Sequence, residues 1–109
     1  MEDKDIGKPL QNWQPLTNKA DLAHLGKLGE EVNELGAAIN RCIIQGIDEA
    51  EPETHKPNRL WLEDEIADVL AMIDHAIIHF KLDQDRISER SSRKFIWKAT
   101  WFTSLGEKT

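Results

Sequence analysis

The chain has one cysteine, no tyrosine and only four prolines among its 109 residues. A single thiol, Cys42, excludes an internal disulfide framework and suits a reducing cytoplasm. Cys42 falls within an apolar helical pattern, where it is expected to pack inertly. No run approaches the ~20 apolar residues that a membrane helix needs. Met1–Leu10 is too polar to form the core of a secretory signal. Basic residues are scarce: 14 Lys plus Arg face 20 Asp plus Glu, a net charge of −6. That balance argues against a nucleic-acid or anionic-membrane partner. Alternation of period two is missing, and with it any sign of strands. No Gly-x-x-x-x-Gly-Lys-Ser/Thr loop occurs, which excludes a P-loop enzyme, and no Glu-x-x-His, which counts against a di-iron bundle.

What is present has spacings of three and four, so the expectation is a single all-α domain over 1–109. Residues 1–17, with Pro9 and Pro15, read as irregular. A first helix should start after Asn18, with Asp21 completing a capping-box-like pattern, and stop at Gly46. Its apolar stripe is Leu22, Leu25, Leu28, Val32, Leu35, Ile39 and Cys42. Ile47–Pro57 is acidic, aperiodic and loop-like. A second helix follows Pro57–Asn58 and runs to about Leu82, with its stripe on Leu62, Ile66, Val69, Leu70, Ile73, Ile77 and Phe80. Asp83 caps a third, which carries Ile87, Phe95, Ala99 and Phe102 on one side, and residues 105–109 form a frayed tail. The expected architecture is an antiparallel helical bundle of three main helices, completed by self-association.

Carboxylates border both stripes. Glu31 and Glu34 share one side of the first helix, and Glu65 and Asp68 share one side of the second. Antiparallel packing through the stripes brings the four to one rim, where their mutual repulsion calls for a cation. Hard oxygen ligands select Mg²⁺, Mn²⁺ or Ca²⁺. The plainer alternative is an acidic, solvated face.

The run Glu30-Glu31-x-x-Glu34, followed by Glu65-x-x-Asp68 and then Val69-Leu70, resembles the MazG-like all-α nucleoside triphosphate pyrophosphohydrolases. That superfamily also holds all-α dUTPases and dCTP pyrophosphatases. The resemblance spans about Trp13 to Lys98. It implies Mg²⁺, with Mn²⁺ as a substitute, on Glu31, Glu34, Glu65 and Asp68 as ligands and catalytic residues, Glu30 being accessory. It also implies hydrolysis of a (deoxy)nucleoside triphosphate to the monophosphate and pyrophosphate, with one glutamate, Glu34 or Glu30, accepting the proton. A homodimer or homotetramer in nucleotide-pool control, of phage or housekeeping type, would fit a chain this short.

Substrate binding calls for cations and aromatic faces. Arg90, Lys94 and Lys98 recur every four residues on the third helix and share a flank. In the family this helix often reads Asn-x-Lys-Phe-x-x-Arg; here Ser92 replaces the Asn and Lys98 the Arg, which keeps the charge but loses an amide and a bidentate fork. Lys27, one turn before Glu31, could meet a carboxylate or a phosphate. Trp13 and Trp61 are candidates to stack on a base or to cap the core. His75-x-x-x-His79 lacks a third ligand at matching spacing and reads as surface histidine. Gly26, Gly29, Asn33, Gly36 and Asn40 form a strip of small residues, suited to a second subunit or to the N-terminal segment. The rival to an enzyme is a non-catalytic helical interaction module with solvated acidic rims.

Overall fold

The computed structural model describes residues 12–107, and these are all helix, turn and coil apart from one isolated bridge, Ala50 to Pro57. Three helices follow in order: α1 (Lys19–Gln45), α2 (Asn58–Phe80) and α3 (Gln84–Ser104). Residues 13–18 are irregular, as expected, while the rest of that segment and the last two residues of the tail lie outside the described residues.

Local chemistry accounts for the ends. Asn18 Oδ1 accepts from the Asp21 amide at 3.0 Å, so the cap of α1 forms. The return half of the capping box does not: the Asp21 carboxylate instead meets His79 Nε2 at 2.7 Å. Gly46 stops α1 at φ 105°, a conformation that a side chain would strain. Helix α2 ends two residues before the expected Leu82, because Lys81 turns left-handed (φ 53°) and closes the last turn on Ile77 and Ile78. Asp83 caps α3 through the Arg86 amide at 3.0 Å. The acidic loop is held by Glu51, whose carboxylate accepts from Thr54 N and Oγ1, both at 2.7 Å, and is thereby held below the usual carboxylate range.

Helices α1 and α2 pack as an antiparallel hairpin, since Asp21 meets His79 at one end and Asn58 meets Gln45 at the other. The seam keeps Leu28, Leu35 and Cys42 of the expected α1 stripe and Leu62, Val69, Ile73, Ile77 and Phe80 of the expected α2 stripe at buried or half-buried positions, and extends to polar residues on the adjacent flank. On α1 the seam runs through Asp21, His24, Leu28, Glu31, Leu35, Ala38 and Cys42, with Gly36 and Arg41 half-buried beside it; on α2 it runs through Asn58, Leu62, Glu65, Val69, Met72, Ala76 and His79, with Trp61, Ile73, Ile77 and Phe80 half-buried beside it. Both follow alternating steps of three and four, the spacing of a coiled-coil seam. Leu22, Leu25, Val32 and Ile39 of the expected stripe remain exposed, as do Ile66 and Leu70 of the second. Polar residues therefore occupy seam positions that the apolar count assigned to neighbours.

Among the described residues the close packing is between α1 and α2, and α3 does not join it. Helix α3 has no buried residue, and Phe95, Trp97 and Trp101 are exposed. The radius of gyration, 19.3 Å, exceeds the ~13 Å of a compact domain of this size. No described helix is long and apolar enough to cross a membrane.

Candidate metal centre

Glu31 occupies the centre of the α1 seam and keeps only 8% of its surface exposed. Across from it, α2 contributes Glu65 and Asp68, one turn apart on the same flank. Carboxylate oxygens of Glu31, Glu65 and Asp68 lie within 4.8 Å of one another. An octahedral Mg²⁺ with ligands at about 2.1 Å spans about 4.2 Å between opposite oxygens, so modest side-chain rotation would close the set on one ion. Glu31 Oε2 and Glu65 Oε2 are buried without a hydrogen-bond partner. A buried carboxylate oxygen with no donor is costly, and a divalent cation would satisfy both.

The electrostatics agree. The Glu31 carboxyl is pushed above the usual carboxylate range, first by burial, then by the nearby charges of Glu34 and Asp68 and by hydrogen bonding with Glu34. Lys27 opposes this from 3.7 Å, but its ammonium is closer to Glu30, at 3.3 Å. Of the two outcomes open to Lys27, it meets the carboxylates. Glu34 stands beside the converging trio and lines an adjoining cavity of about 140 Å³ with Ala37, Ala38, Arg41, Trp61 and Glu65.

Trp61 is half-buried in that cavity wall, with Lys56 Nζ 4.1 Å and Arg41 Cζ 5.4 Å from its ring centre. Its indole Nε1 is buried and unpartnered. Trp13, 70% exposed, does not line the cavity. Arg90, Lys94 and Lys98 do share a flank, along an open groove on α3 with Phe95 and Phe102, but that groove contains none of Glu31, Glu34, Glu65 and Asp68. Two cations near the site were missed from sequence. Arg41 follows Glu34 by seven residues and so lies on the same helix flank, a signal that could have found it. Lys56 reaches Trp61 from an aperiodic loop, which no spacing rule anticipates.

Comparisons with known protein families, with curated proteins and with solved structures give no match to this chain.

Proposed function

We propose that the chain is a divalent-metal-dependent hydrolase that converts a (deoxy)nucleoside triphosphate to the monophosphate and pyrophosphate, as the resemblance of its acidic motifs to the MazG-like enzymes implies. One observation carries the reading: Glu31, Glu65 and Asp68 converge from two helices, with buried oxygens of Glu31 and Glu65 lacking any donor. Mg²⁺ or Mn²⁺ held there would acidify a bound water and neutralise phosphate oxygens. Glu34, exposed beside the trio, is the proton acceptor we assign, because the Glu30 carboxylate is engaged by Lys27. Trp61 offers a face for the base, and Arg41 supplies a cation at the same cavity.

The same proposal includes self-association. Leu22, Leu25, Val32, Ile66 and Leu70, together with Phe95, Trp97 and Trp101 of α3, are exposed among the described residues, and apolar side chains exposed in such number favour association. A second copy packed there would complete the bundle and carry Arg90, Lys94 and Lys98 toward a neighbour's carboxylates. At Gly26, Gly29 and Gly36 an added Cβ would meet no described atom of another element within 4 Å, so the strip faces away from the described residues. Gly36→Leu is therefore expected to fold, with α1 stabilised by up to about 1 kcal/mol, yet to weaken assembly by steric overlap. Sedimentation velocity and melting of the variant check both signs; an unchanged oligomer removes the strip from the interface.

The exposed face also favours the second reading, an interaction module without catalysis. Metal response separates the two. Folding raises the Glu31 pKa above its unfolded value, so the stabilisation from protonating Glu31 is complete below the unfolded pKa and lost as pH rises through the folded one. In EDTA, Glu31→Gln should gain in melting midpoint over wild type as pH rises above the ordinary carboxylate range, and keep that gain at higher pH. Mg²⁺ or Mn²⁺ should raise the wild-type midpoint and not that of the variant. A solvated acidic rim would respond in both proteins alike, as ionic strength dictates.

A further inference from the structure

The loop between α1 and α2 delivers one side chain to the tryptophan of the small cavity. Its backbone is tied: Glu51 N donates to Lys56 O at 2.9 Å, Lys56 N donates to Thr54 Oγ1 at 3.3 Å, and Asn58 N donates to Glu49 O at 2.8 Å. Lys56 is thereby held over Trp61, its Nζ 4.1 Å from the ring centre, and the same ammonium pairs with the Asp64 carboxylate. Asp64 precedes Asp68 by four residues on α2, so the ammonium rests about one helical turn from the converging carboxylates. The cavity beside Trp61 holds about 140 Å³, well below the ~300 Å³ at which small-molecule pockets begin. A base therefore needs a side chain to move before it can stack on Trp61.

We infer that Lys56 gates the Trp61 face and sets the preference for nucleotides over nucleosides: as a base stacks on Trp61, the ammonium leaves the indole and Asp64 and pairs with a phosphate oxygen of the same molecule. The inference rests on the reading of Trp61 as the partner of the base. Lys56 is the group suited to move. Arg41, the other cation at the ring, lines the cavity, whereas Lys56 lies outside it. The side chains of Lys56 and Asp64 are 31% and 60% exposed, and an ion pair so open to water is weak and easily exchanged. The lysine stem is flexible, so the ammonium swings while the tied backbone stays in place. Selectivity follows from what each ligand offers. A nucleoside must displace a cation from the indole and brings no anion to receive it. A nucleotide displaces the same cation, and charge-assisted hydrogen bonds to phosphate offset the loss. Lys56 thus disfavours ligands without phosphate and favours those that carry it.

The test compares the full-length wild type with Lys56→Ala in Mg²⁺, using two sets of probes. One set is the four common deoxynucleosides; the other is their α,β-imido triphosphates, whose α,β bridge resists hydrolysis. Binding is read from the indole N–H resonance of Trp61, assigned by its loss in Trp61→Phe. The two affinities should move in opposite directions. Lys56→Ala should bind a nucleoside about two- to fivefold more tightly and the matching triphosphate analogue about tenfold more weakly. Arg59→Gln removes the same charge from a separate ion pair with Asp48 and should leave both affinities within about twofold. Should Lys56→Ala disturb the loop, Lys56→Gln, which keeps most of the stem, decides on the triphosphate measurement. A triphosphate affinity within twofold of wild type, or nucleoside and triphosphate affinities that fall together, overturns the inference and leaves the hydrolase reading standing. A wild type that binds none of the triphosphate analogues contradicts that reading itself, and the inference with it.

Discussion

Glu34→Gln and Asp68→Asn are each expected to lower Mg²⁺-dependent turnover by about 100-fold or more while leaving the helical fold intact. Each exchange keeps size and removes a charge. Asp68 is one of the three groups that converge, so its loss weakens metal retention. Glu34 lies outside that trio and beside the cavity, so its loss should leave metal affinity closer to wild type and act on proton transfer. Even partners that only orient a metal ligand cost about 10–100-fold when removed, which sets the lower bound. Steady-state rates against Mg²⁺ concentration separate the two roles: Asp68→Asn should shift the metal midpoint, and Glu34→Gln should depress the plateau. Near-normal rates in both variants would reject the assignment of these residues.

The largest expected effect on stability comes from Asn58→Ala. Asn58 is 1% exposed, and its Nδ2 donates to Gly46 O at 3.0 Å and to Gln45 Oε1 at 3.1 Å. It thus closes the C-terminal end of α1 from the first residue of α2. Alanine would leave the Gly46 carbonyl without that donor and open a small void, although it also removes the unpartnered Asn58 Oδ1. The net loss should be about 1–2 kcal/mol, equivalent to a fall of about 5–10 °C in melting midpoint for a domain of this size. Thermal denaturation in EDTA measures this apart from any metal effect. A midpoint within one degree of wild type would mean that water replaces the side chain at no cost.

Both ends of α1 and the start of α3 were legible because each rests on one local device. Asn18 and Asp83 cap with their own side chains, and Gly46 stops α1 by adopting a positive φ. The end of α2 was misplaced because Lys81, not a glycine, takes the left-handed turn. Nothing in its side chain announces that. The face of packing was harder to read. Counting apolar residues found Leu28, Leu35 and Cys42 in the seam but also assigned it Leu22, Leu25, Val32 and Ile39, whereas the helices meet as well through Asp21, His24 and Glu31 on the adjacent flank. An apolar stripe wider than one seam serves more than one neighbour, and periodicity cannot rank them. The same limit explains α3: its amphipathic pattern is plain, but what covers it is not another part of the described chain.

Of the candidate site, the pairs Glu31/Glu34 and Glu65/Asp68 were legible because helical spacing places each pair on one flank. Convergence of Glu31, Glu65 and Asp68 follows from the antiparallel register. That Glu34 stands aside, and that Arg41 and Lys56 flank Trp61, depends on side-chain directions that spacing alone does not contain. The histidine cluster was half legible: His75 and His79 pair by helical spacing, whereas His24 and Asp21 meet His79 only when α1 folds against α2.

The most direct test of the central claim is product analysis. Purified protein is incubated with each of the eight common nucleoside triphosphates and Mg²⁺, and the products are separated by anion exchange without coupling enzymes. The account predicts nucleoside monophosphate and pyrophosphate in equal amounts from at least one substrate, no diphosphate intermediate, and no reaction in excess EDTA. Orthophosphate released first with diphosphate accumulating, or the absence of metal-dependent hydrolysis of all eight, would contradict it.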